Sequence, residues 1–312
     1  MTVTLLFLTG YCFNTRLSNL AGKRLDMITK YVQSYDKIKI AYEVNGEGKP
    51  LIFCYGIACH KDQWKHQTKR FGKKYRIIHI DYRGHNLSQS PRNPEQLTLI
   101  GSAYDLLSVM KKLKIEKAVL IGHSMGVNVI LQFAALWPKK IAGLVCICGT
   151  AANPFKTMFN SDLSQIGFEI LKLFYLKFPD KFPKIWERTI PSAASRILAG
   201  LFGFNHQLTK KQDIINYLEG VAKQPPETFF HFMQEMSQFD GDNILKKIDA
   251  PTLVIGGTKD LITPIKNQYA IYRKLQNAEF MRVPQGSHNA HVDMPELVNL
   301  RIEKFLNDIR YD

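Results

Sequence analysis

Cysteine is sparse in this 312-residue chain: five residues, Cys12, Cys54, Cys59, Cys146 and Cys148, an odd number. Four of them lie in or beside apolar, strand-like runs, which argues against a disulfide framework and for reduced core thiols in a cytosolic protein. Cys146 and Cys148 point to one face of a strand, but no His or further Cys stands at ligand spacing, so no metal is expected. Negative charge is scarce too, with 27 Asp and Glu against 42 Lys and Arg and a formal charge of +15. The cations come as scattered pairs such as Lys73-Lys74 and Lys210-Lys211, without a run or a nucleic-acid motif. A lysine-rich solvated surface is the reading, and no nucleic acid is expected as partner. The charge still leaves room for weak association with an anionic membrane surface.

The stretch Thr2 to Phe13 is apolar, but no Lys or Arg precedes it and no small-x-small cleavage site follows. It is also too short to span a bilayer. Residues 1–26 are therefore read as an extension, disordered or an over-called start, with Met27 opening the domain. A membrane-touching N-terminus is the alternative to a cytoplasmic location.

Against these absences stands one strong positive signal. The run Ala118-Val119-Leu120-Ile121 ends in Gly122-His123-Ser124-Met125-Gly126 and leads into the helical spacing of Val127 to Ala135. A buried strand, a turn too tight for a Cβ at either flank and then a helix would lift the Ser124 hydroxyl above the strand end. Strand-like runs also occur at Ile38–Val44, Leu51–Cys54, Tyr75–Ile80, Ile141–Cys148, Pro251–Gly257 and Ala278–Val283, with helical spacing over Ile100–Leu113 and Pro295–Ile309. Strands alternating with helices imply a mostly parallel sheet covered on both faces. Residues 151–240 break the alternation: they carry no strand-like run, are helical in pattern and are rich in Phe.

The G-x-S-x-G elbow resembles the nucleophile motif of the α/β-hydrolase superfamily, and the resemblance extends from about Lys30 to Arg310. Asp81-Tyr82-Arg83-Gly84-His85-Asn86-Leu87-Ser88 is similar to that family's Asp-x-Arg-Gly-His-Gly-x-Ser loop, with Asn86 in place of the second Gly. Asp81, Arg83 and His85 are read as fixing that loop. The resemblance implies the α/β-hydrolase fold, with a core of residues 27–150 and 241–312 and a helical cap of residues 151–240 roofing the site. It places the nucleophile at Ser124, the acid at Asp260 in Gly257-Thr258-Lys259-Asp260-Leu261-Ile262-Thr263-Pro264, and the base at His288, with His291 out of register. It implies an oxyanion hole from the N–H groups of Ile57 and Met125, with Tyr55 where the family usually has His. Asp293 is expected to begin the last helix as an N-terminal acid.

A serine hydroxyl attacks only if a base accepts its proton, so the expected chemistry is an acyl-enzyme on Ser124 that water then releases. The expected substrate is a small, partly hydrophobic carboxylic ester. Thioester, lactone, amide or carbon–carbon bond hydrolysis and cofactor-free peracid formation share the same three residues and stay open. A non-catalytic ligand-binding protein on the same fold is the reading from another class. No metal or organic cofactor is expected.

Overall fold

A computed structural model describes residues 28–161 and 163–311. Cys12 and the apolar stretch Thr2 to Phe13 lie outside the described residues, as does the proposed 1–26 extension. The order is β1 (Thr29–Gln33), β2 (Lys39–Asn45), β3 (Pro50–Cys54), α1 (Lys65–Phe71), β4 (Arg76–Ile80), α2 (Leu99–Lys112), β5 (Ala118–His123), α3 (Met125–Leu136) and β6 (Ile141–Ile147). Next come α4 (Leu163–Lys177), α5 (Phe182–Thr189), α6 (Ala193–Phe202), α7 (Lys211–Ala222), α8 (Pro226–Ser237) and α9 (Gly241–Leu245). The chain ends with β7 (Thr252–Gly257), α10 (Ile265–Lys274), β8 (Ala278–Val283), α11 (Ala290–Asp293) and α12 (Pro295–Asp308).

Eight strands form one sheet in the order β1-β2-β4-β3-β5-β6-β7-β8. β1 and β2 are antiparallel, and every pairing from β4 through β8 is parallel. All six residues of β5 and all six of β7 are buried, as expected for strands with helices on both faces. The edge strands β1 and β8 are only partly buried.

From β3 the chain steps outward to β4, then jumps back across β3 to β5 and continues the other way. The reversal leaves a crevice beyond the carboxyl ends of β3 and β5, the place where open α/β sheets take ligands. The pair Cys54↔Gly122 in the β3–β5 register brings the two strand ends side by side. The loops carrying Ile57 and Ser124 are neighbours for that reason.

The segment between β6 and β7 is helical, without a strand among its described residues. Its inner rings pack on one another: Phe168 lies 4.8 Å from Phe155 and 5.8 Å from Phe230, and Tyr175 stacks on Phe230 at 5.0 Å. Polar ties hold it over the sheet, with Gln224 Nε2 donating to Asn86 Oδ1 at 2.6 Å and Thr228 Oγ1 to the Gly84 carbonyl at 3.1 Å. No helix among the described residues is long and apolar enough to cross a membrane.

Candidate active site

Ser124 sits between β5 and α3 with φ 52° and ψ −121°, a conformation that L-residues rarely hold. The flanking glycines permit the turn that imposes it. A Cβ on Gly126 would stand 2.1 Å from the Cys54 carbonyl oxygen, and one on Gly122 would stand 2.6 Å from that of Gly126. Neither contact is compatible with a side chain.

His288 lies on the loop after β8, and its Nε2 is 3.0 Å from Ser124 Oγ. On the far side of the ring, Nδ1 is 3.0 Å from Asp260 Oδ2 and 3.2 Å from Oδ1. An ionised carboxylate only accepts, so Nδ1 carries the proton and Nε2 offers its lone pair to the serine hydroxyl. Asp260 is itself anchored: Oδ1 accepts from the N–H groups of Ile262 at 3.0 Å and Thr263 at 2.9 Å. Thr263 Oγ1 stands 3.0 Å from Asp260 Oδ2, 2.8 Å from the Cys148 carbonyl and 3.2 Å from His288 Nδ1. This hydroxyl bridges β6, the acid and the imidazole.

Behind His288 a second ring fixes its backbone. His123 Nε2 donates to the His288 carbonyl at 2.9 Å, and His123 Nδ1 accepts from Gln63 Nε2 at 3.3 Å. That pattern needs a neutral imidazole. Burial, followed by the neighbouring His291 and His288, holds His123 well below the usual histidine range. His291 is buried 4.6 Å from Trp64 and 4.5 Å from His123, with no hydrogen-bond partner among the described residues for either ring nitrogen. Burial first, then His288, pushes its pKa down to about 3. It is a core ring that does not reach Ser124.

The loop after β3 leaves the Ile57 donor unused. Ala58 N–H donates to His85 Nε2 at 3.2 Å and Cys59 N–H to the Gly56 carbonyl at 3.2 Å. The Ile57 N–H just before them and the Met125 N–H at the start of α3 find no acceptor among the described residues. Tyr55, which replaces the family's usual His, ties this loop to the next one: its hydroxyl donates to Asp81 Oδ1 at 3.0 Å and accepts from Asn86 Nδ2 at 3.0 Å. Asn86, in place of the family's second Gly, takes a left-handed φ of 46°, which Asn tolerates better than most residues. Arg83, fully buried, pairs with Asp105 at 2.7 Å and Asp36 at 2.9 Å. His85, held by burial at a pKa of about 4, supports the Ile57 loop.

Asp293 departs from expectation. The residue preceding α12 is Met294, and Asp293 ends the short α11. Its buried carboxylate instead accepts from Ser287 N–H and Ser287 Oγ, each at 2.6 Å, from Asn205 N–H at 3.1 Å and from Thr209 Oγ1 at 2.5 Å. The side chain is drawn inward because α11 and the His288 loop face the segment between α6 and α7, whose own donors would otherwise be buried unpaired. An acid two residues before a proline gives no sign of those partners, which come from 84 to 88 positions upstream in Asn205 and Thr209 and from Ser287 nearby. Thr263 and His123 were likewise not singled out in the sequence. Thr263 had one local signal, its place three residues after Asp260 and next to Pro264.

Fold and site together define a hydrolase of the α/β class. A family model described as the alpha/beta hydrolase fold matches residues 49–295, and the chain belongs to that family. It is 26% identical over 279 residues to epoxide hydrolase 1 of Caenorhabditis elegans, covering 87% of this chain and 68% of that protein. It is 26% identical over 292 residues to epoxide hydrolase 4 of Mus musculus, covering 89% and 79%. Among solved structures, a thermophilic esterase from Thermogutta terrifontis superposes with a TM-score of 0.73 at 24% identity, covering 90% of this chain and 99% of that one. An esterase from Exiguobacterium antarcticum gives 0.72 at 17% identity, with 90% and 100% covered.

Proposed function

We propose that the protein is a serine hydrolase that cleaves carboxylic esters through an acyl-enzyme on Ser124. The observation that carries this reading is the continuous row Ser124 Oγ, His288 Nε2, His288 Nδ1 and Asp260 Oδ2, with 3.0 Å at each gap between side chains. His288 takes the hydroxyl proton as Ser124 attacks the carbonyl carbon, and Asp260 holds the tautomer and stabilises the imidazolium. The tetrahedral oxyanion is held by the N–H groups of Ile57 and Met125, each contributing about 3 kcal/mol at good geometry. His288 then returns the proton to the leaving alkoxide, and a water activated by the same ring releases the acid.

Ser124 also separates this reading from epoxide opening, despite the similarity to epoxide hydrolases. Attack by a serine on an epoxide carbon would leave an ether, which has no carbonyl for water to attack, so the enzyme would stop after one turnover. An acyl group on the same oxygen is an ester and can be released. Arg83 is the only lysine or arginine buried among the described residues, and its charge is already met by Asp36 and Asp105. An uncompensated charge is costly in a site this buried, which favours a neutral, partly hydrophobic acyl group.

The test is turnover of p-nitrophenyl esters of increasing chain length, with fluorophosphonate labelling of wild type beside Ser124→Ala. Loss of labelling and a fall in kcat of about 10⁴-fold or more are expected in the variant. A folded wild-type protein that neither labels nor turns over any ester would overturn the reading.

A further inference from the structure

Helix α4 is apolar on both sides. Its inner side buries Phe168 in the aromatic cluster with Phe155 and Phe230. Its outer side presents Leu163, Ile166, Ile170 and Leu173 at intervals of three and four residues, one stripe of a helix surface. Those side chains are 70%, 55%, 63% and 64% exposed. Helix α6 adds Ile197 and Leu201, one turn apart and 65% and 55% exposed. Phe159, ahead of α4, meets Phe202 at the end of α6 edge-on at 5.3 Å, which ties the start of α4 to the end of α6. Single exposed leucines are ordinary, whereas a contiguous apolar face of this kind marks an interaction surface.

Charge identifies the occupant. Lys177, Lys181, Lys184 and Arg188 follow the stripe at the end of α4 and along α5, outnumbering the exposed Asp180 and Glu187 among them; all four are exposed and none is ion-paired with a carboxylate among the described residues. The whole chain carries +15. A second copy of the chain brings a further +15 to the interface, and a neutral apolar partner would gain nothing from the cations. An anionic lipid surface satisfies both parts, taking the apolar stripe among its acyl chains and the cations at its headgroups. We infer that the outer face of α4 and α6, with the cations that follow it, docks the protein on anionic phospholipid membranes.

The experiment is flotation of the full-length protein with vesicles of phosphatidylcholine alone and with phosphatidylserine at a roughly 7:3 ratio, at low and physiological salt. Wild type should float with the mixed vesicles and bind the neutral ones far less. Ile170→Glu/Leu173→Glu, which alters only exposed positions and should keep the wild-type melting temperature, should lose binding at least tenfold. Lys177→Gln/Lys181→Gln/Lys184→Gln should abolish the preference for phosphatidylserine, with about fivefold weaker partitioning for each lysine removed. Wild type remaining with neither vesicle would overturn the inference. Unchanged binding in Ile170→Glu/Leu173→Glu would do the same, by placing the contact elsewhere, residues 1–27 included. So would a concentration-dependent dimer in solution that this variant converts to monomer.

Discussion

Ser124 occupies a backbone conformation that costs about 1–3 kcal/mol for a residue with a Cβ. Ser124→Gly should therefore be inactive yet more stable by about 1 kcal/mol, read as a rise in the urea midpoint. Thr263→Val removes the hydroxyl between Asp260, His288 and the Cys148 carbonyl; kcat should fall roughly tenfold with KM little changed, and Thr263→Ser should restore it. Arg83→Ala strands the buried Asp105 carboxylate and should lower stability by about 3–5 kcal/mol in denaturant titration. Ser124, Asp260 and His288 could each be named from a motif of a few consecutive letters. Thr263 and His123 could not, because what defines them is contact: 115 positions separate Thr263 from Cys148, and 165 separate His123 from His288. Sequence neighbours carry no record of such distances.

At the scale of elements, the inner strands were legible because burial on both faces leaves continuous apolar runs, and the half-exposed edge strand β8 was legible as well. Ala278–Val283 holds as read, and Ile141–Cys148 ends one residue early at Ile147. Helix α2 begins at Leu99, where the Thr98 hydroxyl accepts from the Gly101 N–H as its cap. The helical character of the segment after β6 was legible too, from the end of the alternation at Gly149. Hidden in the sequence was how that segment attaches to the loops of the sheet. Asp293 shows why: the same acid suits a helix start or a buried hub, and only the folded partners choose. Asp293→Asn loses charge-assisted bonds from Ser287, Asn205 and Thr209, so the loop bearing His288 and the segment after α6 should loosen together. A lower melting temperature with a parallel fall in kcat is the expected result, against unchanged values for an acid that merely starts a helix.

Across the whole molecule, four histidines, His79, His85, His123 and His291, are buried with pKa values pulled below the ordinary range, to about 3, about 4, well below, and about 3 respectively, in each case chiefly by burial. The unfolded chain binds protons at these rings near pH 6.5 while the native one refuses them. Their effect on stability is nil above that pH and grows unfavourable as pH falls towards the native values. By pH 5 each contributes a loss of up to about 2 kcal/mol, so the urea midpoint should drop steeply between pH 7 and pH 5. An unchanged midpoint would mean that these rings are hydrated or charged in the native state.

Ser124 and His288 are each only 6% exposed, and substrate is expected to reach them when helices of the segment between β6 and β7 shift. Cys59 lies directly under that cover. Its thiol donates to the Ile57 carbonyl at 3.3 Å, Tyr217 of α7 stands within hydrogen-bonding reach, and burial pushes its pKa up to about 12. Cys54, Cys146 and Cys148 are sealed within or beside the sheet itself. The protein thus carries a native clock for its own opening: alkylation of Cys59, followed by peptide mass spectrometry, should run ahead of the other three thiols at a rate that counts the moments when α7 lifts. Simultaneous loss of all four thiols would instead mean that roof and sheet come apart as a single cooperative unit.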